Sequence, residues 1–256
     1  MEQLEIEKPS RDSLGDRMKK YESEFSKKLG EKEPIIIRVD GRAFHTVTKT
    51  MPRPFFEPLE NVMNEVAIEL CKQIQGAKFA FVQSDEISIV IHENWRDTFF
   101  HRRHNKVVSL SSAIATLEFH LRLPKLNWKI DSEKIHFDSR AFILPSCEEV
   151  VNYFIWRQQD WTRNSIQMVA RSLYSTPELF NKKTPEMKEM IKEKNQNWDS
   201  LSSKQKYGRC VKRKSILIEG VEVKTRDWIV CEQTPQFVSQ REFILGELRE
   251  QGEPLK

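Results

Sequence analysis

Two aspartates stand where the chain turns. Asp40 closes the run Ile35, Ile36, Ile37, Arg38, Val39 and is followed by Gly41; Asp85 follows Ser84, between the strand-like segments Lys78 to Gln83 and Glu86 to His92. Each dipeptide alone is ordinary turn chemistry, because Asp and Gly suit tight turns. Together, on strands that are central neighbours in a βαββαβ fold, the two carboxylates are expected to meet beside a glycine carbonyl. These are hard oxygen donors suited to Mg²⁺, which keeps positions open for water and phosphate oxygens. Two such ions about 3.5 to 4 Å apart activate an attacking oxygen and stabilise a leaving one in phosphoryl transfer.

A metal-phosphate site needs cations around it, and Arg42, Arg53, Arg102, Arg103 and Lys106 are candidates for cradling a triphosphate. Arg102, Arg103 and Lys106 fall in the first turns of a helix, where positive charge is unfavourable by about a few tenths of a kcal/mol; the cluster invites an anion, although ordinary solvated Arg and Lys are the commoner reading of such residues. Further on, Lys204, Lys206, Arg209, Lys212, Arg213 and Lys214 run without an acidic residue around Tyr207, the best nucleic-acid patch in the chain. His101 and His104 have chelating spacing, but neither Cys nor a second acid lies near them, and anion contact or plain exposure is the better reading. The sequence has no G-x-x-x-x-G-K-[ST], G-x-S-x-G or G-x-G-x-x-G, which removes P-loop, hydrolase and Rossmann readings.

The elements that must position these residues are legible from periodicity. Leu14, Met18, Tyr21 and Phe25 recur at helical spacing from Ser10 to Phe25, with Ser10 or Asp12 as cap, and Pro34 ends that stretch. The strand at 35–40 is followed by a loop with Pro52, Pro54 and Pro58, then by a helix whose face is Leu59, Val62, Met63, Val66, Leu70 and Ile74, stopped at Gly76. After the 78–92 hairpin, a helix from about Thr98 to Leu121 is expected to bury Phe100, Val107, Leu110, Ile114, Leu117 and Leu121. Phe137 to Leu144 forms a fourth strand, and Ser146 with Glu149 makes a capping box opening a helix to about Ser175, whose polar stripe is Arg157, Asp160, Asn164, Gln167 and Arg171.

This order, βαββαβ, is the ferredoxin-like split pattern: an α+β fold with a four-stranded antiparallel sheet and helices on one face, the palm layout of polymerases and cyclases. Residues 1–146 read as the catalytic palm with an N-terminal helix. Residues 147–256 read as a smaller, mostly helical region that packs on the palm, contributes to nucleotide and tRNA binding, and carries a β-hairpin near Ser215 to Val223.

Composition agrees with a globular chain. Its 256 residues are 38% hydrophobic and 31% charged, so disorder and a disulfide-stapled miniprotein are excluded. The net charge of +4 says little about nucleic acid; the charge distribution says more. The four cysteines Cys71, Cys147, Cys210 and Cys231 form no C-x-x-C and read as reduced, structural thiols. No apolar run approaches a membrane span and the start has no signal-peptide pattern, so the expectation is a cytoplasmic protein with no membrane contact.

Four segments in order resemble one family: Arg38-Val39-Asp40-Gly41-Arg42-Ala43-Phe44-His45, Gln83-Ser84-Asp85-Glu86, Phe137-Asp138-Ser139-Arg140, and Asn152-Tyr153 through Trp156-Arg157-Gln158-Gln159-Asp160. They resemble the tRNA-histidine guanylyltransferase superfamily of 3′-to-5′ RNA polymerases, with matches from Leu14-Gly15-Asp16-Arg17-Met18 to about Arg213. The resemblance implies that Asp40, the Gly41 carbonyl and Asp85 bind two Mg²⁺, with Glu86 grouped with the aspartates as catalytic. It implies that ATP, or GTP, activates a tRNA 5′-monophosphate with loss of pyrophosphate, and that the 3′-hydroxyl of an incoming nucleotide, often GTP, then attacks and expels the nucleoside monophosphate. Such in-line transfer rests on positioning and charge neutralisation. Arg42, Ala43, Phe44, His45 and Ser84 would lie along the nucleotide, with Arg102, Arg103 and Lys106 on its phosphates and Arg140 and Asp160 nearby. Arg53, Arg157, Arg163, Asn164, Lys204, Lys206, Arg209, Lys212 and Arg213 would serve tRNA or the activating nucleotide. A homotetramer is implied as well.

Two departures bear on substrate. Eukaryotic members carry His-Ile-Asn-Asn where this chain has Thr162-Arg163-Asn164-Ser165, and a Lys-Pro after the first motif is here Arg53-Pro54 at different spacing. Both resemble bacterial, archaeal and phage-type relatives, which implies template-dependent repair of 5′-truncated tRNA rather than addition of an extra guanosine to tRNA-His. A nucleotide cyclase or forward polymerase would lack the Trp156-Arg157-Gln158 helix, and a non-catalytic tRNA-binding module would not need Asp40 and Asp85.

Overall fold

The computed structural model describes residues 13–24, 26–92, 99–218 and 221–249. Helix α1 (Ser13–Ser23) leads into strand β1 (Ile35–Gly41), a short helical turn α2 (Phe44–Val47), and α3 (Glu57–Gln73). Strands β2 (Ala77–Gln83) and β3 (Glu86–Ile91) follow, then α4 (His104–Arg122), β4 (Phe137–Ile143) and the 27-residue α5 (Cys147–Leu173). The chain ends with α6 (Thr184–Glu193), α7 (Ser203–Tyr207), the hairpin β5 (Arg209–Ile218) and β6 (Val221–Val230), and α8 (Glu242–Leu248).

The sheet is antiparallel in the order β4-β1-β3-β2-β5-β6, so the C-terminal hairpin extends the four expected strands to six through pairs such as Phe79 with Lys212 and Phe81 with Cys210. Helices cover both faces rather than one. Strand β1 shows why: Ile35, Ile37 and Val39 face α3 and α4, while Ile36 faces α5 and α8, so consecutive isoleucines are all buried. The C-terminal half of α5 also packs Ile166, Val169 and Ala170 on Met187, Ile191 and Trp198.

Expectations change at four helices. Helix α4 buries Val107 as expected and keeps Leu110 and Ile114 against the core, but its other fully buried positions are Ser111, Ala115 and Phe119, while Phe100, Leu117 and Leu121 are 41%, 57% and 63% exposed. The reason is aromatic packing: the Phe119 ring lies 5.4 Å from Phe44 and 5.5 Å from Phe137. The small Ser111 also lets the helix approach β4, with its hydroxyl bonded to the Val107 carbonyl at 2.7 Å and paired with Ser139 at 2.7 Å. The helix starts at His104, because the preceding 3₁₀ turn holds Phe100, His101 and Arg102 at positive φ; Thr98 lies outside the described residues. Helix α3 starts earlier than expected, with Pro58 in its first turn, where its missing N–H costs nothing. Helix α1 forms, yet Leu14, Met18 and Tyr21 are exposed; Ser10, Asp12 and Phe25 lie outside the described residues. At α5 the Ser146 hydroxyl accepts from Glu149 N–H at 3.2 Å, whereas the Glu149 carboxylate accepts from Asn152 instead of closing the box. Among the described residues no helix is long and apolar enough to cross a membrane.

Candidate active site

Asp40 occupies the end of β1, in register with Glu86 on β3 and with Asp138 on β4. Asp85 sits in the tight β2–β3 turn behind Ser84, whose φ of +47° is the left-handed conformation such a turn requires. The Gly41 N–H donates to the Asp85 carbonyl at 3.2 Å, which ties the two turns together. Gly41 cannot carry a side chain, because a Cβ there would come within 2.2 Å of the Phe44 ring, itself wedged against Phe119 and Phe137.

The electrostatics separate neighbouring acids. Burial raises the Asp85 carboxyl to about 6, with repulsion from Asp40 adding to it and the Ser84 hydroxyl opposing it. Burial also raises Asp40, followed by repulsion from Asp138, while Arg38, Arg140 and Arg157 counteract only in part. Neither aspartate forms an ion pair among the described residues. Two half-buried, mutually repelling carboxylates gain most from a divalent cation, so this donor set fits Mg²⁺. No group of three or more His, Cys, Asp or Glu gathers for metal binding among the described residues, so a protein carbonyl or substrate oxygens must complete the shell. Glu86 differs: Arg157 grips its carboxylate through Nε at 2.8 Å and Nη2 at 2.6 Å, and Gln83 adds a third bond at 2.9 Å. Burial still pushes the Glu86 carboxyl up, against the pull of Arg157. Every strong donor to Glu86 belongs to this chain, and the pair fastens α5 to the sheet.

Fastened there, α5 forms one wall of a cleft of about 510 Å³ that opens onto Asp85. The cleft gathers His45, Arg53, Ser84, Asp85 and Asn164 from separate stretches of sequence, with Phe44 on its floor. It adds Lys49 and Arg171, which no sequence motif assigns to the site, and the apolar walls Phe56 and Met168. Asn164, Met168 and Arg171 share one face of α5 at i, i+4 and i+7; Arg171 had been visible only as part of a polar stripe.

Other expected residues lie elsewhere. Arg42 and Ala43 are exposed beside Gly41. Arg102 turns inward, buried, with its guanidinium donating to the Glu33 carbonyl and its Nε and Nη1 unpartnered among the described residues. Arg103 and Lys106 stay exposed, and the Lys106 Nζ stands 5.8 Å from the Phe100 ring. Arg140 is exposed, 4.0 Å from Asp138. Asp160 accepts from Arg157 at 3.1 Å, from Arg163, and from Asn164. Arg163 and Tyr207 line a separate hollow of about 320 Å³.

The basic stretch is largely spent inside the fold. It spans α7 and β5: Lys206 donates to the Asp199 carbonyl at 2.7 Å, and Arg209 is 2% exposed and donates to Asn64 at 2.7 Å. Lys212 pairs with Glu247 at 2.9 Å, and Arg213 lies over Trp228 at 5.3 Å. Lys204 is half-buried and Lys214 exposed. The His104 Nδ1 lies 3.4 Å from the Asn105 side-chain oxygen, and the His104 N–H donates to the Lys27 carbonyl at 2.9 Å.

A family model described as tRNAHis guanylyltransferase matches residues 15–145. An uncharacterized protein of Acanthamoeba polyphaga mimivirus is 26% identical over 243 residues, 85% of this chain and 83% of that one. A probable tRNA(His) guanylyltransferase of Dictyostelium discoideum is 31% identical over 140 residues, 52% of each chain, so this chain spans about half the length of that relative. Among solved structures, a bacterial tRNA(His) guanylyltransferase-like protein in complex with ATP superposes with a TM-score of 0.82 at 36% identity, covering 92% of this chain and 99% of that one. The corresponding complex with GTP gives 0.78 at 35% identity, covering 93% and 99%. The tRNA(His) guanylyltransferase of Saccharomyces cerevisiae shares the fold, with a TM-score of 0.65 at 22% identity over 78% of this chain and 91% of that one.

Proposed function

This chain belongs to the tRNA(His) guanylyltransferase family of nucleotidyltransferases, and from that premise we propose that it extends tRNA at the 5′ end in the 3′-to-5′ direction, repairing 5′-truncated molecules against the opposite strand. The observation that carries the proposal is the opening of one cleft onto Asp85, with Lys49, Arg53 and Arg171 as cations around it. A nucleoside triphosphate fits that chemistry: Phe56 and Met168 offer apolar surface to a base, Asn164 and Ser84 offer hydrogen bonds, and the cations take the phosphates.

Asp40, Asp85 and the Gly41 carbonyl would hold Mg²⁺, which when bound neutralises phosphate charge and makes an attacking hydroxyl more acidic. The chain's own residues hold the reactants in line. The Gly41–Asp85 hydrogen bond keeps the two carboxylates together, and Glu86 with Arg157 keeps the α5 wall in place, a positioning role rather than a catalytic one. In the first step a tRNA 5′-phosphate oxygen attacks the α-phosphorus of ATP, or GTP, and pyrophosphate leaves. In the second, the 3′-hydroxyl of the incoming nucleotide attacks the activated 5′-phosphorus and the nucleoside monophosphate leaves. The palm at 1–146 supplies the carboxylates and 147–256 the facing wall. Arg103 and Lys106 remain exposed for phosphates, Lys214 for tRNA. We place the protein in the cytoplasm as a homotetramer.

Thr162-Arg163-Asn164-Ser165, in place of the eukaryotic His-Ile-Asn-Asn, favours repair over guanosine addition to tRNA-His. The test uses 5′-monophosphorylated tRNA lacking its first nucleotide, with Mg²⁺, ATP and each labelled nucleoside triphosphate, beside full-length tRNA-His. Addition of only the base complementary to the opposite strand is expected. Guanosine added to intact tRNA-His regardless of template would replace this reading with tRNA-His guanylylation, and no addition to either substrate would leave a tRNA-binding module.

A further inference from the structure

Away from the carboxylates, two cysteines face each other at the base of the C-terminal hairpin. The β5–β6 register pairs Val211 with Val230, and one step further it sets Cys210 opposite Cys231, whose N–H donates to the Cys210 carbonyl at 2.9 Å. Antiparallel partners of this kind have Cα atoms about 5.5 Å apart, within the roughly 4.4 to 6.8 Å that a disulfide spans. Both thiols are free and buried. Cys210 is fully enclosed, whereas Cys231, at 9% exposure, keeps an edge to solvent.

Their surroundings divide the labour. The hydrogen bond from Cys210 holds the Cys231 thiol below its ordinary range, with Lys212 and Lys204 assisting against burial and Glu247. Glu247 is itself held by Lys212 at 2.9 Å and Lys224 at 2.7 Å, which blunts its effect. Burial and the Cys231 sulfur raise Cys210. Cys231 is the less enclosed of the two and meets an oxidant first, with Cys210 stationed behind it across the strand pair as the resolving thiol. Cys71 is buried and its thiol strongly raised by that burial, and Cys147 lies apart, 3.9 Å from the His92 ring nitrogen.

We propose that Cys210 and Cys231 form an oxidisable dithiol, a modification site for peroxide-class oxidants that closes to an intrachain disulfide. The Cys231 thiolate attacks one oxygen of hydrogen peroxide and the O–O bond breaks. The hydroxide released takes up the thiol proton and leaves as water, and Cys231 becomes a sulfenic acid. The Cys210 sulfur then attacks the Cys231 sulfur; the S–S bond forms, the S–O bond breaks, and a second water leaves with the Cys210 proton. The two thiols are oxidised and one peroxide is reduced. The bond ties β6 to the segment that runs from α7 through Gly208 and Arg209, which Thr234 already fastens by donating to the Gly208 carbonyl at 2.7 Å. In a reducing compartment it would be transient.

The test exposes the full-length protein to one equivalent of hydrogen peroxide, followed by thiol counting after denaturation and peptide mass mapping. Two of the four thiols should disappear, the Cys210 and Cys231 peptides should be joined until reductant is added, and the oxidised protein should melt at higher temperature than the reduced one. Cys147→Ser should leave this behaviour intact, and Cys231→Ser should abolish the cross-link while Cys210 still titrates. Lys212→Met should slow the reaction several-fold at neutral pH. Four unchanged thiols, a cross-link through Cys147, or Cys231 driven to sulfinic acid with Cys210 still free would each overturn the proposal.

Discussion

Asp85 and Glu86 are neighbours in sequence, and the fold treats their charges in opposite ways. Glu86 is answered by this chain, through two bonds from Arg157 and one from Gln83. Asp85 and its neighbour Asp40 are raised by burial and by like charge, with nothing comparable offered in return. A carboxylate satisfied by the protein's own donors holds the structure together. One left unanswered at the mouth of a cleft is held ready for something from outside. Motif position alone groups all three acids; only their partners divide them.

The division can be broken most directly by removing one side of it. Asp40→Ala or Asp85→Ala should each lower both nucleotide activation and addition by about a thousandfold or more, the scale on which lost electrostatic stabilisation acts, with the circular dichroism spectrum unchanged. Single-turnover assays with retained activity in both variants would remove the metal-site assignment. The opposite side of the comparison is a stability effect. Arg157→Ala leaves Glu86 buried without its counter-ion and should cost about 3 to 5 kcal/mol in urea unfolding, because an uncompensated buried charge is strongly destabilising. A loss below about 1 kcal/mol, the scale of an exposed pair, would mean that Glu86 is not the anchor described.

A third experiment uses pH. The Asp85 carboxyl is raised in the folded state to about 6, so its contribution to stability is present at low pH, below the unfolded value near 3.9, and is lost as pH rises through about 6. Without Mg²⁺ the protein should therefore melt at a higher temperature near pH 5 than near pH 7 through this group, and Asp85→Asn should flatten the difference. Mg²⁺ binding, which competes with the proton, should weaken as pH falls below about 6. Calorimetric titration showing Mg²⁺ affinity independent of pH between 5 and 7 would contradict the pairing of these acids.

The smallest effects belong to the cations. Arg171→Ala and Arg53→Ala, which line the cleft, should raise the KM for the activating nucleotide about tenfold, the scale of one charge-assisted hydrogen bond, with little change in melting temperature. Arg213→Ala should change that KM less than about twofold, because its guanidinium is occupied over Trp228 at a contact whose expected worth is below 1 kcal/mol. Equal effects at both places would mean that the cleft is not where the triphosphate lies.

Much of this was legible in the sequence because local rules carry it. The β1 isoleucines, the Ser84–Asp85 turn, the face of α3 and the Ser146 cap are each decided by residues a few positions apart. The face of α4 was not, because Leu117 and Leu121 fit the helical period as well as Ala115 and Phe119 do. Packing against Phe44 and Phe137 chose between them. The strand character of β5 was hidden under its basic residues, and Lys49 and Arg171 carry no local mark of a site at all. They become neighbours of Asp85 only when α2, its following loop and α5 close on one cleft.

By itself, then, the sequence determined which residues turn, which alternate and which acids stand at the ends of central strands, since backbone preference and hydrophobic period act over a few residues. Tertiary structure alone decided which charges are compensated, which basic residues are spent on internal partners, and which side chains from distant segments share a cavity. Those outcomes depend on burial and on distances of a few ångströms between parts of the chain far apart in sequence, where desolvation sets the cost of every charge that is left unpaired.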